Sequence, residues 1–197
     1  FIAQRLPNPL DGSPIEFKDG EGNVVEIEAD SGKPLIAHVF KVSSDPFVGK
    51  LCVFRVHQGH VGSDVQPKVD DGKKGVRIAH VFKLNGKEHA EADTIIAGDI
   101  GAVAKVDEID FNSVLHADNV ASVKTVTLPK PMFGLAIEGT SKGAETKMGE
   151  ALTKLSAEDP TLEVERVQAT GELVIRGLGE QHLRVKLRYL KDRYGVE

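Results

Sequence analysis

The chain has 197 residues, 40% of them hydrophobic, with 25 Lys and Arg against 30 Asp and Glu, enough for one large packed domain or two small ones. No apolar run approaches the roughly 20 residues a membrane helix needs, no signal-peptide pattern is visible, and the single Cys52 rules out an internal disulfide and fits a cytoplasmic protein with no membrane partner. The net charge of −5 is local, because residues 1–32 hold 2 basic and 7 acidic side chains while 33–127 hold 12 of each sign and 128–197 hold 11 of each.

The start at Phe1 rather than Met reads as a fragment. Residues 1–32 read as a connector: Pro7, Pro9, Pro14 and Gly12 break any helix. Ile15 and Phe17, then the Gly-rich Asp19–Asn23 turn, then Val25 and Ile27 make a hairpin. That hairpin is expected to lean on a neighbouring domain. From Lys33 to Thr127 the pattern is β. Ile36, His38, Phe40 and Val42 alternate with Leu35, Ala37, Val39 and Lys41. After the break at Ser43–Pro46, Leu51, Val53 and Arg55 alternate with Cys52, Phe54 and Val56. Strands are expected near Val65–Val69, over Val76–Phe82, at Ile95-Ile96, over Ile100–Val106 and at Val123–Thr127, with turns at Asp70-Asp71-Gly72, Asn85-Gly86 and Ala97-Gly98-Asp99. Short strands at this spacing without helical periodicity predict a closed or nearly closed barrel, which leaves no exposed edges.

Leu128-Pro129-Lys130-Pro131 is a stiff linker, and residues 128–197 are mixed α and β. Met132–Glu138 reads as a strand and 143–158 as a helix, with Met148, Leu152 and Leu155 at i, i+4, i+7, a cap at Ser141 and a stop at Pro160. Leu162–Val167 and Glu172–Gly177 form a hairpin. A second helix after Gly179 buries Leu183, Leu187, Leu190 and Tyr194. The order β-α-β-β-α is a ferredoxin-like split β-α-β lacking its last strand. The fold class is therefore all-β plus α+β.

No set of side chains carries a reaction. A GTPase needs a G-x-x-x-x-G-K-[ST] loop opening a helix, which the chain lacks; Gly72-Lys73-Lys74-Gly75 is a turn. His57 and His60 supply at most two metal ligands, and Asp70-Asp71 lacks the spacing of a calcium loop. No catalytic, cofactor or metal residue is expected. The second helix carries Arg184, Lys186, Arg188, Lys191 and Arg193 against Asp192, and Arg184, Arg188 and Lys191 share a side. Such a stripe either neutralises phosphates or is a solvated helical face. Gly98 and Asp99 read as a tight turn, and Glu180 sits at the positive end of the helix.

Three stretches carry a family resemblance: Lys41–Val56 followed by Gly59, Ala97–Val103, and Met148–Leu162 with Gly177–Leu183. In order and spacing they resemble the second and third domains of elongation factor G. The resemblance implies an elongation-factor barrel at 33–127 and a ferredoxin-like domain at 128–197, with 1–32 as the exit from an absent GTPase domain that would hold GTP and Mg. It also implies that the parent drives ribosomal translocation. Its partners would be small-subunit ribosomal RNA and protein and its own GTPase domain. Contact residues under that reading are Lys41, Lys50, Arg55, Gly98, Asp99, Glu180, His182, Arg184, Arg188 and Lys191. Leu178, Gln181 and the stretch Val103–Leu115 depart from the family pattern. These departures point to a recycling, protection or stress paralogue as the rival; a stand-alone RNA- or protein-binding adaptor is the rival of another class.

Overall fold

The structure is a computed structural model that describes all residues except 9, 10, 13, 14, 46, 47, 87, 118, 119, 124–126, 141 and 197. It has two compact units, Phe1–Thr125 and Val126–Glu197. Pro9, Pro14, Pro46 and the expected cap Ser141 lie outside the described residues.

Unit 1 begins with a single helical turn, α1 (Ile2–Arg5), and β1 (Phe17–Asp19) and β2 (Val24–Val25). The long pair β3 (Ile36–Asp45) and β4 (Gly49–Gln58) follows, then β5 (His60–Gly62), β6 (Lys68–Val69), β7 (Val81–Asn85) and β8 (Glu88–Ala92). The last strands are β9 (Thr94–Ile96), β10 (Ile100–Ala104), β11 (Val114–His116) and β12 (Val120–Val123). Seven strands run in the order β6-β11-β3-β4-β10-β7-β8, and β5 pairs with β9. Both sheets enclose one core, to which Ala37, Val39, Phe54, Val56, Val61, Ile95, Val103 and Leu115 contribute. This is the β-barrel, held by side chains that each contribute about 1.5–3 kcal/mol when fully buried.

Several details differ from the sequence reading; β3, for one, stays paired with β4 through Ser43, Ser44 and Asp45, where the sequence predicts a break. The alternation along β3 changes phase at a bulge between Val39 and Lys41, so Val39 and Val42 both enter the core. Only Val81 and Phe82 of the expected 76–82 strand enter a ladder; Val76 N–H bonds Pro67 O at 2.7 Å and Ile78 still plugs the core. The hairpin expected to lean on a neighbouring domain packs on the barrel strands, in unit 1. Phe17, fully buried, clusters with Ile36 and Val114, and β1 pairs with β12.

Unit 2 contains β13 (Phe133–Ile137), α2 (Lys142–Glu158), β14 (Glu163–Arg166), β15 (Leu173–Gly177) and α3 (Glu180–Tyr194). The sheet order is β13-β15-β14, all antiparallel, so β15 is central. Met148, Leu152 and Leu155 of α2 and Leu183 and Leu190 of α3 pack on Ile175, with Leu187 and Tyr194 partly buried beside them. The ferredoxin-like β-α-β-β-α reading holds element by element.

Candidate functional site

On β4 the inward residues Cys52, Phe54 and Val56 belong to the core, so Leu51, Val53 and Arg55 point outward. β10 lies on one side of this strand and β3 on the other. Arg55 pairs in register with Ile100 and His38, and Val53 with Ala102 and Lys41. Leu51, Val53 and Ala102 form a buried strip with partly buried Phe82 and Leu84. Lys41 and Arg55 flank this strip on one outer face, as diagonal neighbours about 7–8 Å apart in such a ladder. Neither makes an ion pair among the described residues. Two cations free of carboxylates beside an apolar strip can accept a phosphate backbone and a flat apolar surface together.

The other barrel candidates have local tasks. Lys50 Nζ bonds Asp110 Oδ1 at 2.7 Å and Asp107 O at 3.1 Å, which pins the stretch that departs from the family pattern. That stretch packs into the barrel core. Ile109 is fully buried, Cys52 Sγ donates to Ile109 O at 3.2 Å, and Asn112 N–H bonds Val39 O at 2.9 Å. Burial pushes the Cys52 thiol up to about 11, so it serves as a core residue rather than a nucleophile. Gly98, at φ +90, donates to Val56 O at 2.7 Å, and Asp99 O accepts from Val56 N–H. The Asp99 carboxylate bonds Lys83 Nζ at 2.8 Å, which together with the Ile100 N–H holds it below its usual range. Both residues serve the turn read from sequence.

His57 lies against Phe17, ring centroids 5.1 Å apart. Burial, then the positive Arg55 and to a smaller extent the neighbouring His38, lower it to about 4, so it is neutral. His60 pairs with Asp64 at 3.0 Å. Gln58 donates to Pro34 O and accepts from Glu28 N–H. A Cβ on Gly59 would stand 2.7 Å from Lys33 O, so only glycine fits there. Among the described residues no group of three or more His, Cys, Asp and Glu is placed to hold a metal ion.

On α3 the cation stripe is compensated. Arg184 reaches Glu180 Oε1 at 2.6 Å and Arg188 reaches Asp192 at 3.1 Å, each one helical turn away. Arg193 bonds Glu158 through both terminal nitrogens at 3.0 Å, and Lys191 also has a partner. Glu180 therefore holds Arg184, and α3 starts at Gly179 without a side-chain cap. Lys186, read as part of the basic set, instead turns inward. It is 9% exposed and meets Asp159 at 2.6 Å. His182 is also turned inward. Its Nδ1 accepts from Leu178 N–H at 3.1 Å, so the ring carries its proton on Nε2, which donates to Asp159 at 2.9 Å.

Asp159 is thus a hub that joins the end of α2 to the first turns of α3. Thr161 adds its N–H and hydroxyl at 2.9 and 2.6 Å. Burial raises the Asp159 carboxyl, but Lys186, Thr161 and His182 together outweigh it and hold it well below the usual carboxylate range. The sequence reading missed this hub. The available signal was spacing: Lys186 sits three residues after Leu183 and four before Leu190, on the apolar face.

Comparison with known proteins adds to this geometry. Residues 34–118 match the family described as elongation factor G domain 2, and residues 128–197 match elongation factor G, domain III. The fold is also similar to that of a protein from Thermus thermophilus whose crystal structure is known, at TM-score 0.73 and 34% identity over 84% of this chain. This chain spans 25% of that protein's length.

Proposed function

Because the chain belongs to the elongation factor G family, in which it carries the second and third domains, we propose that it is the ribosome-docking and coupling part of a translational GTPase acting in translocation. The observation that carries this reading is the outer face of β3, β4 and β10, where Lys41 and Arg55 stand without ion pairs among the described residues, beside an apolar strip. Such a surface suits small-subunit ribosomal RNA and a neighbouring ribosomal protein. The 33–127 barrel is the rigid adaptor, and the 128–197 domain, joined through the Leu128–Pro131 linker, is the element whose state the nucleotide controls. Residues 1–32 are the approach from the GTPase domain of the parent.

GTP and Mg belong to that GTPase domain, since no stretch here has the glycine loop and lysine that cradle phosphates. The chain itself performs no catalysis. It binds, and it transmits a change between two arrangements of the parent protein, which the cytoplasm would hold together with ribosomes.

A second reading, a paralogue for ribosome recycling, protection or stress, is favoured by the 103–115 stretch that Lys50 and Ile109 fix in place. Sedimentation with purified small ribosomal subunits tests the docking claim. The chain is expected to co-sediment at low salt and to be lost when Lys41→Glu and Arg55→Glu are combined. Absence of co-sedimentation, or an unchanged double variant, overturns it. A translocation assay with the full-length parent then separates the two family roles: turnover supports the translocase, and no turnover on ribosomes that bind it supports the paralogue.

A further inference from the structure

The whole negative excess of the chain lies in residues 1–32, and the same segment holds an open apolar groove. Ile15, Val24, Val25 and Ile27 line a space of about 540 Å³ along β2. Val25 and Ile27 lean partly on the core beneath, whereas Val24 is 61% exposed and Ile15 is 41% exposed. Glu16, Glu26 and Glu28 complete the wall. Residues 15–28 carry five carboxylates and one lysine, Lys18, and of the acids in the groove wall Glu28 is already paired with Lys33 at 2.5 Å. β2 is the outermost strand of its sheet, paired on one side only with β1.

An unpaired strand edge beside exposed apolar side chains is a template for an added strand. The charge decides what adds. A carboxylate-rimmed groove repels nucleic-acid phosphates and attracts lysine and arginine, and electrostatic complementarity of this kind sets partner choice. We infer that the β2 edge docks an extended, basic protein segment whose alternate side chains are apolar. The segment would pair with β2, set its apolar residues beside Ile15 and Ile27, and direct its alternate cations to Glu26, on the outer face that it shares with Val24. This surface lies on the hairpin, not on the face with Lys41 and Arg55. It takes protein where that face takes RNA, and it does not depend on the ribosomal reading.

The test uses the 197-residue chain, labelled for amide NMR, titrated with a short capped peptide that alternates lysine with valine. A matching glutamate–valine peptide and a short single-stranded RNA are the controls. The basic peptide is expected to shift the Val24 and Val25 amides and slow their exchange, and to bind about tenfold more weakly when Val24→Lys and Glu26→Lys are combined. Both side chains point away from the core cluster, so the variant should melt as the parent chain does. Glu26→Gln alone, which keeps the shape, is expected to weaken binding and its salt dependence in part. Equal binding of the acidic peptide, RNA binding at the same amides, basic-peptide shifts confined to other residues, or no shift at all would each overturn the inference.

Discussion

The outer face of the barrel and the outer face of α3 both carry cations, and they treat them in opposite ways. On the barrel, Lys41 and Arg55 stand in a sheet whose cross-strand neighbours are Val53, His38 and Ile100, none of them an acid. On α3, Arg184 and Arg188 each meet a carboxylate one turn away. The difference comes from the two backbones. A helix puts residues i and i+4 side by side, so a local sequence can neutralise itself. A strand's neighbours come from distant segments, and here those segments supply apolar side chains. A basic helix in a sequence is thus weaker evidence of a phosphate site than its charge count suggests, whereas two cations isolated on a sheet are stronger evidence than theirs.

The units also differ in what is buried, and the largest expected effects come from disturbing that. Ile109→Ala removes a fully buried side chain from the barrel core and should cost unit 1 about 2–5 kcal/mol. Faster hydrogen exchange in β3 and β4 would report it; unchanged protection would mean that the 103–115 stretch is not part of the barrel core. Asp159→Ala strips Lys186, His182 and Thr161 of their shared partner in the unit 2 hub and should cost about 2–4 kcal/mol, allowing for its partial exposure. Both tyrosines, Tyr189 and Tyr194, lie on α3 and the chain has no tryptophan, so tyrosine fluorescence during urea unfolding follows unit 2. The same group sets a pH trend. Its folded pKa is depressed, so its stabilisation is present above the ordinary carboxylate range and fades as pH falls through and below it. Unit 2 should weaken on acidification, and Asp159→Asn should flatten that trend.

Unit 1 has a pH response of its own. His57 titrates near 4 in the fold against an ordinary 6.5, so the unfolded chain takes up its proton first. Stability is whole above about 6.5 and falls as pH drops toward 4, by about 3 kcal/mol in all. His57→Leu, which keeps contact with Phe17, should remove that dependence from denaturant melts followed by circular dichroism. If the dependence persists, His57 is not its source.

The helices were the most legible part of the sequence, because Met148, Leu152, Leu155 and Leu183, Leu187, Leu190 mark one face at 3.6-residue spacing. The Asn85-Gly86 hairpin was legible for its turn, but β8 was not: Glu88–Ala92 is a polar edge strand without an apolar face. The bulge at Val39 left no trace in the alternation, since Phe40 is as apolar as its neighbours. At the candidate site the sequence named Lys41 and Arg55 but could not tell them from Lys50, Arg184 and Arg188. Whether a cation is already paired depends on contacts between distant segments, such as Lys50 with Asp110, and no spacing rule carries that.

The most direct measurement is the salt dependence of binding to a small-subunit ribosomal RNA fragment by two variants of the chain, Lys41→Ala with Arg55→Ala and Arg184→Ala with Arg188→Ala. The barrel pair should lower the slope of log affinity against log salt by about two, roughly one for each lost phosphate contact, and weaken binding about tenfold or more. The α3 pair should leave the slope nearly unchanged. A slope that falls for the α3 pair and stays fixed for the barrel pair would contradict the account.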